Sequence, residues 1–161
     1  MKKLTFGLCL LALAGTALAD ILTLPLVGES KTFTRTYDSS HLAKHQGQLF
    51  KKISLTITNS DEEDGIDRLY VSFMALTVDG VKVTGESGHC DELPQKLGVV
   101  CSIVDSRGGD ILLTDSALKG KVSLFFRPQK GVPVTLLDKS YNEVIVPADA
   151  ENSVYALNVA K

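Results

Sequence analysis

Tryptophan is absent from this sequence of 161 residues, and aromatic residues make up only 6% of it. This scarcity disfavours a sugar-binding platform built from stacked rings. Basic clusters with interleaved aromatics are also missing, so we expect no nucleic-acid partner. Beyond the first twenty residues no apolar run is long enough to span a bilayer as a helix. We therefore expect no integral membrane segment in the mature chain.

The N-terminus has the three parts of an export signal. Two lysines form a basic start, the apolar run LTFGLCLLALAG follows, and Ala17 and Ala19 occupy the small-residue positions that signal peptidase reads. The sequence predicts that residues 1–19 are a cleaved signal peptide. Residues 20–161 are then expected to form a single soluble domain that is secreted, most simply into a bacterial periplasm.

Cysteine is scarce, with three in the whole sequence. Cleavage of the signal peptide removes Cys9 and leaves Cys90 and Cys101 in an oxidising compartment. An even number of thiols there predicts a structural disulfide, which would stabilise the fold by about 3 kcal/mol. A redox role is disfavoured because catalytic pairs usually lie two residues apart at the start of a helix.

Most of the mature chain shows the period of β-strands. KTFTRTY (31–37) alternates so that Phe33, Arg35 and Tyr37 share one face. RLYVSFMALTV (68–78) is apolar on both faces, which is typical of a strand covered on two sides. About nine or ten such segments, separated by turn-rich pieces, predict an all-β antiparallel sandwich, with a small barrel as the alternative.

One short helix is predicted within SSHLAKHQ, where Asp38 or Ser39 can cap its start. His41 and His45 are four residues apart and would share a face of this helix. Together with His89 or a carboxylate they would suit zinc or copper. Histidines that only pack or face solvent are the plainer interpretation, and a metal site is the alternative.

An acidic segment, NSDEEDGID, concentrates five carboxylates around one glycine. They are Asp61, Glu62, Glu63, Asp64 and Asp67. Oxygen-rich loops bind calcium, but the ligands of an EF-hand alternate along the chain, whereas these are mostly consecutive. We expect a solvated acidic turn between two strands and keep a calcium loop as the alternative.

No catalytic motif is recognisable. The sequence has no G-x-S-x-G elbow, no H-E-x-x-H motif and no phosphate-binding glycine loop, so no cofactor is expected and no residue can be assigned to catalysis. Ser87 and His89 would point the same way on one strand, but no third group accompanies them. Catalysis stays open, and the sequence favours a protein that is not an enzyme.

Two segments, YDSSHLAKHQGQLFKKISLTI (37–57) and GHC…VVCSIVDSRGG (88–109), resemble a set of uncharacterised exported proteobacterial proteins. In that set Tyr-Asp-x-x-His-Leu-x-x-His-Pro-x-Gln precedes a strand, and two cysteines and a glycine pair follow; Gln46 replaces the proline here. The resemblance covers about a third of the chain, implies a shared fold and transfers no functional residue. It marks a candidate binding segment, namely Tyr37, Asp38, His41, His45 and Gln48.

Three classes of function follow. The leading prediction is a non-catalytic periplasmic β-domain with a binding, inhibitory or envelope-structural role toward an unknown partner protein or envelope component. Small β-domains present such surfaces at sheet edges or at the loops of one end. The alternative is a metal-binding protein that uses His41 and His45. The third is a hydrolase with an unrecognised site.

Overall fold

The structure, a computed structural model, describes residues 22–61, 67–103, 109–116, 121–128, 132–149, 151–152 and 154–160. These ranges contain ten strands and two short helical segments, α1 (Ser39–Lys44) and a 3-10 turn (Pro94–Lys96). Neither helical segment has the length and apolar character needed to cross a membrane. The strands are β1 (Ser30–Thr36), β2 (Phe50–Asp61), β3 (Asp67–Thr77), β4 (Lys82–Glu92), β5 (Val99–Ile103), β6 (Asp110–Asp115), β7 (Lys121–Arg127), β8 (Thr135–Asp138), β9 (Glu143–Ile145) and β10 (Val154–Val159).

The strands form one antiparallel sheet that closes on itself. Its order is β3-β2-β1-β10-β7-β6-β5-β4, and β4 pairs back onto β3, so these eight strands make a barrel. β8 and β9 lie outside it, where β8 pairs with β4. The predicted all-β class, antiparallel pairing, strand number and short helix are confirmed. The predicted sandwich holds only in part, because periodicity determines which face of a strand is buried and does not determine which strands are neighbours.

Alternating apolar side chains fill the interior of the barrel. Four rings in the core, Phe50, Phe73, Phe126 and Tyr155, make five ring contacts with centroids 5.6 to 6.1 Å apart. Burying a side chain of this size contributes about 2–3 kcal/mol. Aliphatic residues on both sides of this cluster complete the core, among them Ile53, Leu55, Ile57, Ile111, Leu113, Leu124 and Leu157.

A bulge at the start of β2 adjusts its alternation. Phe50 and Ile53 are three residues apart, yet both are fully buried. The register of β2 against β3 shifts between Phe50 and Lys52, and the extra residue returns Phe50 to the inner face. The bulge therefore brings the chain that follows α1 into the core.

β3 is covered on one face only. Phe73 is buried, whereas the neighbouring Met74 is 45% exposed. The prediction that this strand is covered on two sides is wrong. The physical reason is closure, because a strand in the wall of a barrel has the core on one side and solvent on the other.

Candidate functional site

The end of β1 presents Arg35 and Tyr37 on the same side as the buried Phe33, as the alternation predicts. The guanidinium carbon of Arg35 lies 5.1 Å from the centroid of the Tyr37 ring, which is a cation–π arrangement. The Nε atom of Arg35 is buried without a hydrogen-bond partner. The Arg35 cation is thus held against an aromatic face, and its Nε–H has no acceptor among the described residues.

Helix α1 and its C-cap residue, His45, add two imidazoles to this ring. Asp38 caps the helix, because its Oδ1 accepts a hydrogen bond of 2.7 Å from the His41 N–H. The ring centroids of Tyr37 and His41 are 4.6 Å apart, and those of His41 and His45 are 4.3 Å apart with the planes nearly parallel. The Tyr37 ring is tilted by 32° against His41, and the three rings Tyr37, His41 and His45 form a continuous row that we name the aromatic column.

A buried amide determines the tautomer of His41. The Nε2 of Gln48 donates to the Phe50 carbonyl at 2.6 Å, so its Oε1 is the atom that faces His41. That oxygen lies 3.0 Å from the His41 Nε2 and can only accept, so Nε2 carries the proton. Neutral His41 therefore keeps the lone pair of Nδ1 for another partner.

The turn that precedes β10 holds the segment after α1 in place through Asn152, whose side chain is completely buried. Its Nδ2 donates to the Gly47 carbonyl at 2.8 Å. Its Oδ1 accepts from the Leu49 N–H at 2.6 Å and from the Tyr155 hydroxyl at 2.8 Å. One amide thus joins two parts of the chain that are more than a hundred residues apart.

Glu151, in the same turn, ends the aromatic column. Its Oε2 accepts a hydrogen bond of 2.9 Å from the Gly47 N–H, and its Oε1 lies 3.9 Å from the His45 Nδ1. The side chains of His45 and Glu151 are 46% and 38% exposed, so solvent screens this pair and its contribution to stability is small. The pair is therefore accessible to a ligand.

An open groove of about 500 Å³ runs beside the aromatic column, a volume within the range of small-molecule sites. Burial raises the pKa of Tyr37, although the charge of Arg35 opposes this shift. Burial also raises the pKa of Tyr155, with the nearby Tyr37 and Asp149 adding to it. The groove is lined by Arg35, Tyr37, His41, His45, Gln48, Lys121, Glu151, Val154, Tyr155 and Ala156.

Four of the five residues of the candidate binding segment line this groove, and the fifth, Asp38, caps the helix that carries the histidines. Sequence reasoning missed Lys121, Glu151 and Asn152 as site residues. The hydrogen bond between Gly47 and Glu151 spans 104 residues, and no local pattern signals such a contact. The alternation of residues 31–37 predicts Arg35 as a strand residue and assigns it no role in a site.

The disulfide lies in another part of the barrel. Cys90 and Cys101 face each other on the paired strands β4 and β5, with Cα atoms 4.0 Å apart, and the predicted bond is confirmed. In the order of strands around the barrel, β5 is opposite β1. The bridge therefore joins the wall that faces away from the groove.

The fold brings together only some of the predicted metal ligands. His41 and His45 are adjacent, but in stacked rings the in-plane lone pairs run side by side, and sharing one ion would require the rings to rotate. His89 belongs to β4, and its side chain is outside the described part of the chain. Among the described residues there is no group of three or more histidine, cysteine, aspartate or glutamate side chains placed to hold a metal.

The acidic segment connects β2 and β3. Asp61 and Asp67 are paired at the ends of these two strands. Glu62, Glu63 and Asp64 lie outside the described residues. The calcium alternative for this segment stays a prediction.

No protein-family model, curated protein or solved structure matches this chain. The resemblance to the exported proteobacterial set stays a prediction. The functional interpretation therefore depends on the geometry of the groove.

Proposed function

We propose that this chain is an exported, non-catalytic binding domain of the periplasm and that the groove beside the aromatic column is its binding site for a partner protein or envelope component. The observation that carries this proposal is the column itself, in which Tyr37, His41 and His45 stack along an open groove. A stack of three planar rings on a rigid wall offers contact area and hydrogen-bonding groups with little conformational entropy to lose.

The support behind the column favours a preformed site. Gln48 and Asn152 are both buried, and their hydrogen bonds anchor the segment that carries the histidines to the barrel. Groups held in this way do not have to be ordered when a ligand arrives, which strengthens binding.

The chemistry of the groove favours binding over catalysis. Its described lining contains no serine, threonine or cysteine that could act as a nucleophile. The Tyr155 hydroxyl donates to Asn152, and burial raises its pKa, so it does not ionise readily. The His41 Nε2 is engaged by Gln48, and the lone pair of its Nδ1 has no Ser, Thr or Cys beside it in the described lining. A hydrolase that forms a covalent intermediate would need such an activated nucleophile.

The proposed compartment rests on two features. The first nineteen residues have the pattern of a cleaved signal peptide. The bond between Cys90 and Cys101 supports an oxidising environment, because structural disulfides persist there and are rare in the cytosol.

The test is affinity capture from periplasmic extract with three versions of residues 20–161. Ala156 lines the groove, so Ala156→Arg should fill it. Met74→Arg adds the same charge on an exposed position of β3 and is the matched control. We expect a component of the extract to bind to the wild type and to Met74→Arg but not to Ala156→Arg. Equal capture by all three versions, or by none, would reject the groove as the binding site.

A metal-binding function, with zinc or copper held by His41 and His45, is the second proposal. It is favoured by the proximity of the two imidazoles and by the Glu151 carboxylate beside His45, and it requires the stacked rings to rotate so that both can reach one ion. Titration of the chelator-free protein should then show one ion per chain, and the double variant His41→Ala/His45→Ala should show none. A stoichiometry near zero for the wild type would reject it.

A further inference from the structure

The wall of the barrel is open beside the groove. Within the described residues, β1 pairs with β10 at Phe33 opposite Val159 and at Thr34 opposite Asn158, and no described pair follows Thr34. β1 continues against β2 as far as Thr36, and β10 continues against β7 as far as Val154. The two strands therefore separate beyond Thr34, and we name the gap between them the seam.

Backbone groups of both strands face the seam. The Thr32 carbonyl accepts a hydrogen bond of 2.9 Å from the Ala160 N–H. The backbone N–H and C=O groups of the even-numbered residues of β1 are therefore directed toward β10. Alternation along antiparallel strands then directs the N–H and C=O of Thr36 toward the seam, together with those of Ala156 and Val154 on β10. The described pairing of β1 with β10 does not reach these residues. β10 offers two such residues and β1 only one.

The inner end of the seam is cationic. Arg35 directly follows the last paired residue of β1 and lines the groove, and Lys121 lines it as well. The ion pair of His45 with Glu151 does not include Arg35, which has no carboxylate partner among the described residues. Its buried Nε also has no hydrogen-bond partner. An anion is therefore the complementary occupant.

The seam is closed at its inner end. The pairs at Thr34 and Phe33 close it, so a strand that enters beside β10 cannot pass through and must stop next to Arg35. A chain that ends at this point places its terminal carboxylate at the guanidinium, which can bind it through two parallel hydrogen bonds. Its last residues would pair with the free edge of β10, as in other cases of strand addition.

We propose that the seam binds the free C-terminus of a partner polypeptide as an added strand on β10, with its carboxylate held by Arg35. This inference rests on the proposed function and names the occupant of its groove. The aromatic column then flanks the side chains of the bound peptide.

The experiment uses residues 20–161 and a display library of random heptapeptides with free C-termini, from which the strongest binder is synthesised as the acid and as the C-terminal amide. We expect the acid to bind about tenfold more tightly or better, because the amide removes the charge that Arg35 meets. The Ala156 amide should become protected from hydrogen exchange when the acid binds. No enriched peptide, or equal affinity of acid and amide, would overturn the proposal.

Two variants that each remove one positive charge distinguish a specific contact with Arg35 from a general effect of charge on binding. Arg35→Gln should lower the affinity for the acid about tenfold and leave the weak affinity for the amide unchanged. Lys31→Gln removes the same charge from β1 on the far side of Phe33, where Lys31 contacts Thr23, and should leave both affinities unchanged. Equal losses in the two variants would contradict a specific contact. The acid and amide comparison on wild type decides the matter if a variant does not fold.

The two proposals can fail separately. A component captured through the groove, lost with Ala156→Arg but bound without preference for a free C-terminus, would overturn the inference about the seam and leave the binding function standing. Capture that is independent of Ala156 would remove the binding function itself.

Discussion

At the scale of single residues, Asn152 holds the site to the barrel. It is completely buried and hydrogen-bonds with Gly47, Leu49 and Tyr155. Asn152→Ala leaves these groups without partners in a dry environment, so we expect the free energy of unfolding to fall by about 3 kcal/mol. Urea denaturation measures this change. A loss below about 1 kcal/mol would mean that water replaces the amide without penalty.

Tyr155 makes the free energy of unfolding depend on pH in the alkaline range. Its pKa is raised in the folded protein, chiefly by burial, so the unfolded chain loses the phenol proton first. The contribution of Tyr155 to the free energy of unfolding is therefore fully present below the ordinary tyrosine pKa of 10.0 and is lost as pH rises above it. Tyr155→Phe should cost about 1 kcal/mol at neutral pH and flatten this fall. Urea unfolding of both proteins at pH 8 to 11 tests it, and parallel curves would contradict the assignment.

At the scale of elements, α1 is too short to be stable alone and depends on its cap. Asp38→Ala removes the hydrogen bond to the His41 N–H and should cost about 1 kcal/mol. It should also release the histidine stack, which the ring-current shifts of the His41 and His45 protons would report. Asp38→Asn keeps a capping oxygen and is the control. Unchanged shifts in Asp38→Ala would show that Gln48 alone orients His41.

The disulfide links two elements that are already paired. Replacing Cys90 and Cys101 by alanine should lower the free energy of unfolding by about 3 kcal/mol on the chain-entropy model. The groove lies across the barrel from β5, so ligand binding should not change. Urea denaturation gives the first quantity and peptide affinity the second. Two free thiols in the wild-type protein purified without reductant would contradict the bridge.

At the scale of the whole molecule, each strand of the described barrel pairs with both neighbours, with register shifts in β3–β4 and β4–β5 and an unpaired stretch beyond Thr34 at the β1–β10 boundary. The amides of Thr36 and Ala156 face this seam and should exchange with solvent much faster than those of Thr34 and Asn158, which are paired. Hydrogen exchange followed by NMR measures all four. Equal protection would show that the seam closes in solution.

Much of the candidate site could be predicted locally, because its residues come from one segment. A capped helix with histidines four apart is determined by neighbours in sequence, and Asp38, His41 and His45 lie where that pattern places them. The spacing could not reveal that the rings stack on Tyr37 or that Glu151 ends the column. Those contacts depend on β10 lying beside β1, and the turn before β10 is more than a hundred residues away.

Local patterns in the sequence were enough to predict the strands, the capped helix and the pair of cysteines, and for most strands the buried face, because each of these follows from alternation, from capping chemistry or from a count of thiols. The one-sided burial of β3, the closure of the strands into a barrel and the opening of its wall next to Arg35 follow only from how the strands are arranged in space. Strand pairing is non-local, and the free energy that selects neighbours comes from the packing of the whole core. No short segment of the chain contains that information.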